Sequence, residues 1–572
     1  ANTLSDYVAQ QFPEQQIAYW KSVSEASGAL PGFMPDHPEA ENRISDSRAL
    51  SFLLSEAETS ALLHQVNQAY HTEINDLLLT ALSRALHASF GAEAYSITLE
   101  GHGREQIVDL DISRTVGWFT SIFPFVLSHQ SDVGRHLQEV KEALRKVPTK
   151  GVGFGLLRYL ADMKSLQGAS QISFNYLGSF DQFGDNSDSL FGFSSIGVGD
   201  SSSPRASRLH ELDVSGILTG GQLRISISYS AKRMGSARME SLVSEYHTAL
   251  KSLIEHCVSV EHGRLSPADF SGCNMDMAEY DQFLAHHRLE ASSIEDIYPL
   301  SPLQEGMLFE WMLNPDSPAY FVQLEVNFGN RVDGVLLKNV WQQLIERHTI
   351  LRTTFFNEFT GAEQRPLQVV FKEMPLSFEA IDLRSLDEQS QENTIAAYRA
   401  ADQKRGFELS ALPLIRFALF QRSEHRSTML MSNHHIIMDG WSLGILFKEF
   451  LLLYTHGNTG NLPAPIPYSS HIRYLEAQDS DKSGEFWQDY LHEYEPAGLI
   501  PDLKAGGKSG LVIPRERLFQ LSEVETAALS QLAARAQASM NTVLQGLWAI
   551  LLGRYNQRRD IVFGMTTSGR TA

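Results

Sequence analysis

Residues 429–444 read Met429-Leu-Met-Ser-Asn-His434-His435-Ile-Ile-Met-Asp439-Gly440-Trp441-Ser442-Leu-Gly444. An apolar strand, Ser427 to Met431, runs into the histidine pair, and a helix is predicted from about Ser442. At such a junction His435 can face an interface or a channel. Asp439, four residues on, can hold the local backbone or pair with an arginine. Gly440 allows close approach or a positive φ. Adjacent histidines could instead bind a metal, but neighbouring strand residues point to opposite faces, and no third ligand is evident. An HxxxD alone is common by chance; the full HHxxxDG is a sharper pattern.

Three further stretches flank it. They are Tyr298-Pro-Leu-Ser301-Pro-Leu-Gln304-Glu305-Gly306-Met307-Leu308-Phe309, then Arg347-His348-Thr-Ile-Leu351-Arg352-Thr353-Thr354-Phe355, then Tyr468-Ser-Ser-His-Ile-Arg-Tyr474.

Further out, the chain repeats itself at long range. Tyr19-Trp20-Lys21 resembles Phe486-Trp487-Gln488, and Leu54-Ser-Glu-Ala-Glu-Thr59 resembles Leu521-Ser-Glu-Val-Glu-Thr526, both at an offset of 467. Asn75, Leu78 and Leu86 match Asn541, Leu544 and Leu552, and Gly103-Arg104 matches Gly569-Arg570, all at 466. Each copy predicts a capped helix beginning at Ser55 or Ser522. A second helix follows near Asn75 or Asn541. Next come a strand, Ala94–Leu99 or Asp560–Met565, and a glycine turn ending in arginine. Only 19 residues precede Trp20 and only two follow Arg570. We therefore expect a window onto two tandem homologous domains that starts and stops mid-domain.

Bulk properties agree with folded, non-nucleic-acid-binding domains. The 572 residues exceed one ordinary domain. Sixty-eight acids against 47 bases give a net charge of −21, dispersed as a solvated surface, so a nucleic-acid partner is not expected. The two cysteines, Cys257 and Cys273, form neither a metal spacing nor a disulfide framework, which fits a reducing, cytoplasmic location. No apolar stretch reaches the ~20 residues a membrane helix needs, and no secretory signal opens the chain. Residues 503–509, Leu-Lys-Ala-Gly-Gly-Lys-Ser, superficially resemble a phosphate loop but lack its first glycine, and are expected to be a loop.

The ordered stretches around His435 resemble non-ribosomal peptide synthetase condensation domains over about 295–572. They look most like the subtype that takes a donor ending in a D-residue and an L-aminoacyl acceptor. The resemblance implies chloramphenicol-acetyltransferase-like α/β lobes in a V, with the active site in a tunnel between them. It implies that His435 is catalytic, that His434, Asp439 and Gly440 are supporting, that Arg352 pairs with Asp439, and that Trp441 lies at the substrate pocket. The end of the Thr566–Arg570 stretch matches a segment that reaches across to the other lobe.

The residue types suit that chemistry. An acceptor α-amine must be neutral to attack a thioester, and its ammonium has a pKa of ~8. A histidine near ~6.5 can take that proton or hydrogen-bond the amine. Positioning alone can also do much of the work, so base and positioner both remain open. No GxSxG nucleophile elbow is evident, which favours direct transfer.

In the first copy, Leu99-Glu100-Gly101-His102-Gly103-Arg104-Glu105 stands where the second has Met565-Thr-Thr-Ser-Gly569-Arg570. A carboxylate replaces a hydroxyl at the same strand end. With Asn75–Ala81, Arg114–Ser121, Val147–Gly155 and Phe174-Asn175-Tyr176-Leu177-Gly178, this resembles the second half of a synthetase epimerisation domain over about 1–262. The resemblance implies that Glu100 is an acid/base for the α-proton of a carrier-bound thioester, with Asn175 and Tyr176 in the substrate pocket. Such a carboxylate would sit, with a raised pKa, in a partly desolvated cleft.

The expected organisation is 1–262, the C-terminal lobe of an epimerisation domain; 263–293, a linker with a short helix near Met277–His286; 294–485, the N-terminal lobe of a condensation domain; and 486–572, the start of its second lobe. The first domain's own HHxxxDG is missing, and by the repeat spacing it belongs about 32 residues before Ala1. By itself the fragment is expected to have little or no activity. Phosphopantetheine is expected on upstream and downstream peptidyl carrier domains outside this chain, alongside adenylation domains of the same assembly line, with no metal and no membrane partner. Two rival readings are an HxxxDG acyltransferase using coenzyme A thioesters and a non-catalytic docking platform for carrier domains.

Overall fold

The computed structural model describes residues 2–10, 12–108, 110–166, 170–179, 202–260, 263–315, 317–360, 365–457, 462–494, 517–567 and 569–570. The 503–509 loop lies outside them. The chain divides into two compact units, Ala1–Ile297 with Phe359–Gln364, and Tyr298–Glu358 with Arg365–Ala572. Both are mixed α/β, as the pattern of short β-branched runs between amphipathic helices predicts.

The first unit is built on a six-stranded sheet. In chain order its strands are β1 (Ser47–Leu53), β2 (Ala94–Gly101), β3 (Ser121–Ser128), β4 (Ile172–Ser179), β5 (Leu212–Thr219) and β6 (Gln222–Ser230), arranged β1-β6-β5-β4-β2-β3. The central pairs β2·β4 and β4·β5 are parallel and the outer pairs antiparallel. Parallel neighbours align the carboxyl ends of β2 and β4, and this brings Glu100 beside Asn175.

Two helices, Ile74–Phe90 and Ser236–Ser259, supply the main apolar layer. The second buries Met239, Leu242, Tyr246, Leu250 and Leu253, a one-face helical spacing. Tyr246 Oη donates to the Leu78 carbonyl at 3.0 Å and ties the two helices together. Trp20 is fully buried, edge-on to Phe123 and Phe154.

The segment expected as a linker is folded. Its helix spans Met277–His287, capped by Asp276. Lys141 Nζ, on the helix Val133–Arg145, bonds both carboxylate oxygens of Asp269 at 2.6 Å, and both side chains are over nine-tenths buried. Ala268 N donates to Glu142, Gln138 donates to the Leu265 carbonyl, and Arg135 pairs with Asp281. Residues 264–287 are thus a strap fastened along one helix.

In chain order the remaining strands are β7 (Ile294–Pro299), β8 (Phe321–Phe328), β9 (Thr353–Thr360), β10 (Arg365–Phe371), β11 (Phe378–Asp382), β12 (Ile415–Gln421) and β13 (Ser427–His434). The second unit centres on a four-stranded sheet in the order β11-β12-β13-β8. Every residue of β13 is buried, because helices cover both sheet faces. Phe417, Met429 and Met431 face the layer that holds Trp341 and Phe450. Ala418, Phe420 and Leu430 face Ile395 of the helix Glu388–Arg405. That two-faced burial makes β13 a continuous apolar run that ends at the histidines.

The sequence repeat is a structural repeat, with one exception. Ser55 and Ser522 each form a capping box, with Glu58 and Glu525. The helices Ile74–Phe90 and Met540–Asn556 occupy equivalent positions. Gly103 and Gly569 both have φ +63. The expected strand over 560–565 is not formed. A strand needs ladder partners; β2 has them in β3 and β4, whereas residues 560–565 pair with no strand among the described residues.

Candidate functional site

β13 delivers His434 into the sheet and His435 just past it. His434 is registered opposite Phe321 of β8 and is 3% exposed. Its Nδ1 accepts from Ile436 N at 3.2 Å. Its Nε2 is buried with no hydrogen-bond partner among the described residues. Burial, helped by the neighbouring His435, lowers its pKa to about 4, so it is neutral at physiological pH.

His435 opens a single 3-10 turn and is half-buried. Its main-chain N–H donates to the Tyr320 carbonyl at 2.7 Å. Its ring Nδ1 lies 2.7 Å from the Met438 carbonyl. A carbonyl can only accept, so Nδ1 carries a proton; in the Nδ1–H tautomer Nε2 is the acceptor.

Asp439 caps the helix Gly440–His456. Oδ1 accepts from Ser442 N at 2.8 Å and from Ser442 Oγ at 2.5 Å. Burial alone would raise this carboxyl, but the Ser442 bonds and the Arg570 guanidinium outweigh it and hold it below the usual range. Arg570, not Arg352, is the cation the structure places on Asp439, at 3.2 Å. Arg352 is buried and donates to the carbonyls of Ile345, Glu346, Phe371 and Lys372. A guanidinium that crosslinks four backbone carbonyls is committed to the fold around β9.

Gly440 departs from expectation too. It is absent from the positive-φ residues, and an added Cβ would meet nothing within 4 Å. At the first helical position neither a strained φ nor a close neighbour arises. Trp441, expected at a pocket, is 61% exposed on the first turn of that helix.

In the first unit Asn175 Nδ2 donates to Glu100 Oε2 at 2.7 Å. Tyr176 is half-buried, and burial pushes its phenol up. Gly101 is required, because a Cβ would come within 2.7 Å of Ser121 Oγ and 2.8 Å of the Lys150 carbonyl. His102 Nδ1 accepts from Arg104 N at 3.0 Å while its Nε2 meets Glu105 at 3.0 Å. Glu100 stands exposed at the strand end, not in the expected desolvated cleft.

Sequence reasoning did not find two carbonyls that hold His435, those of Tyr320 and Met438. Backbone acceptors leave no residue-type signal, although Ser317-Pro318 does mark a turn. Among the described residues no group of three or more potential ligands could hold a metal ion, and no helix is long and apolar enough to cross a membrane.

The Condensation domain family matches residues 1–267 and 294–572. The chain is 38% identical over 587 residues to a linear gramicidin synthase of Brevibacillus parabrevis, covering 100% of this chain and 11% of that protein. It is 37% identical over 538 residues to bacitracin synthase 3 of Bacillus licheniformis, covering 93% and 8%. The chain thus spans about a tenth of the length of these relatives. Among solved structures it is similar to the epimerization domain from the third module of tyrocidine synthetase B, at 37% identity and a TM-score of 0.42, covering 46% of this chain and 60% of that one.

Proposed function

Because the chain belongs to the Condensation domain family, we propose that it is part of a non-ribosomal peptide synthetase in which two related units act in sequence. The second joins a carrier-bound peptidyl or aminoacyl thioester to an aminoacyl thioester acceptor. The first equilibrates the α-carbon of the carrier-bound residue between L and D. The second unit then takes a donor ending in a D-residue.

The observation that carries the reading is the Nδ1–H bond from His435 to the Met438 carbonyl, which leaves Nε2 as the acceptor. In the bond-forming step the acceptor α-amine attacks the donor thioester carbonyl. The C–N bond forms, the C–S bond breaks, and the thiolate leaves. His435 Nε2 accepts the ammonium proton, which is returned to the thiolate. Asp439 and Arg570 hold the turn that presents His435 rather than touching the reacting atoms. Trp441, exposed one residue beyond Gly440, is assigned to the approach in this reading.

In the first unit Glu100 removes and returns the α-proton next to the thioester carbonyl. Asn175 orients the carboxylate through the 2.7 Å bond; Tyr176, the next residue on β4, packs on the core side and supports the strand that presents Asn175. The substrates arrive on the phosphopantetheine arms of peptidyl carrier domains outside this chain, loaded by adenylation domains. No residue here is assigned to a metal.

The test belongs in the synthetase that carries this chain. His435→Ala is expected to lower product formation at least ~100-fold while aminoacyl loading is unchanged. Glu100→Gln is expected to stop α-proton exchange with solvent deuterium yet leave bond formation from a supplied D-donor intact. Unchanged product formation in His435→Ala would overturn the assignment in favour of a docking platform. Transfer from free coenzyme A thioesters at the same rate would favour the other acyltransferase.

A further inference from the structure

We infer that Tyr320 is a positioning residue for His435, acting through a left-handed turn that aims its carbonyl at the histidine main chain. This rests on the reading of His435 as the acyl-transfer histidine.

The chain enters β8 through a turn closed by Phe321 N donating to the Pro318 carbonyl at 3.1 Å. Tyr320 occupies the third position of that turn with φ +61. Glycine or asparagine is the ordinary resident there, because an L side chain with a Cβ is crowded at positive φ. A tyrosine held in this conformation is a strained backbone position beside a candidate catalytic group.

The strain is explained by what each end of the residue meets. The register of β13 on β8 closes at His434↔Phe321, so Tyr320 is the next residue opposite His435. There the His435 N–H reaches the Tyr320 carbonyl at 2.7 Å. That N–H opens a 3-10 turn and has no acceptor within it. The Tyr320 ring lies beside His434, centroids 6.2 Å apart and tilted 53°. Ring packing on His434 therefore holds the turn, the turn aims the carbonyl, and the carbonyl fixes the main chain of His435. Met438 fixes the ring of the same residue from the other side. With both ends held, the imidazole has one tautomer and one orientation. A glycine would adopt the φ more readily but would leave the carbonyl free to wander.

The experiment uses the full chain labelled with 15N-histidine, His435 being assigned by its loss in His435→Gln. Long-range proton–nitrogen spectra read the tautomer, and hydrogen exchange reads the main-chain amide. Wild type and Tyr320→Phe are expected to show His435 as the Nδ1–H tautomer with a protected amide. In Tyr320→Gly and Tyr320→Ala the amide should exchange at least ~10-fold faster and the Nε2–H form should appear. Thermal melts report folding, and Tyr320→Gly, at ease at positive φ, carries the test if Tyr320→Ala fails to fold. A His435 tautomer and amide unchanged in folded Tyr320→Gly would overturn the inference. If the catalytic reading failed instead, His435→Gln would leave bond formation in the synthetase unchanged while these spectra still shifted.

Discussion

Arg570 Nη2 lies 3.2 Å from Asp439 Oδ1 and 3.1 Å from Ser442 Oγ, joining the repeat's arginine turn to the helix cap behind the histidine pair. Both charged side chains are 44% exposed, so solvent screens the pair and its coupling should stay under ~1 kcal/mol. Arg104, at the equivalent place in the first copy, instead lies over the Phe119 ring at 4.3 Å and donates to the Ile112 carbonyl. A double-mutant cycle with Arg570→Ala and Asp439→Ala checks the coupling. Asp439→Ala alone should lose about 1 kcal/mol more than Arg570→Ala, because it also removes the cap on Ser442.

The strap's ion pair should behave oppositely. Lys141 and Asp269 are buried, and removing one partner leaves an uncompensated charge. Lys141→Met is expected to destabilise the first unit by about 3–5 kcal/mol, read as a lowered denaturant midpoint. Lys141→Met combined with Asp269→Leu should recover most of that loss, since the buried charge is then gone.

Acid should loosen the first unit through His136. Burial lowers this histidine to about 4, below its unfolded value of ~6.5. The unfolded chain therefore binds the extra proton first as pH falls. Stability is full above ~6.5 and is lost progressively down to about 4, by about 2–3 kcal/mol. Denaturant melts at pH 7 and pH 5 measure it, and His136→Gln should flatten the difference.

Replacing the amide that holds Glu100 should create a coupled pair. Asn175→Asp puts a second carboxyl at hydrogen-bond distance of the first. Two carboxylates that close share a proton, so one should titrate well above the ordinary carboxylate range. Carboxyl-carbon NMR titration would detect it, and two ordinary titrations would contradict the geometry.

Trp20 and Trp487 occupy matching places in the repeat but should respond differently. Trp20 is fully buried and Trp487 is 55% exposed. Trp20→Ala is expected to cost about 3–5 kcal/mol, whereas Trp487→Ala in this chain should change stability by under ~0.5 kcal/mol. Unfolding of each variant followed by circular dichroism compares them.

That last contrast separates what was legible in residues from what was not. The strand into His434, the capping boxes at Ser55 and Ser522, the helix at Met277 and the two-copy organisation are local. Each depends on periodicity, a cap or a repeat, all of which residue order specifies. The alignment of Glu100 with Asn175 also follows once two strands are parallel neighbours, although only the sheet order makes them so. The cation on Asp439, the strap along Lys141 and the carbonyls that hold His435 come from segments far apart in sequence, or from backbone atoms every residue shares. The same Leu-Ser-Glu and Asn-x-x-Leu patterns give a packed lobe over 47–101 and exposed helices over 523–556. The sequence alone determined which elements could form and which side chains could do chemistry. Tertiary structure decided which of them are buried, because a strand or an apolar face acquires its role only from the partner it meets.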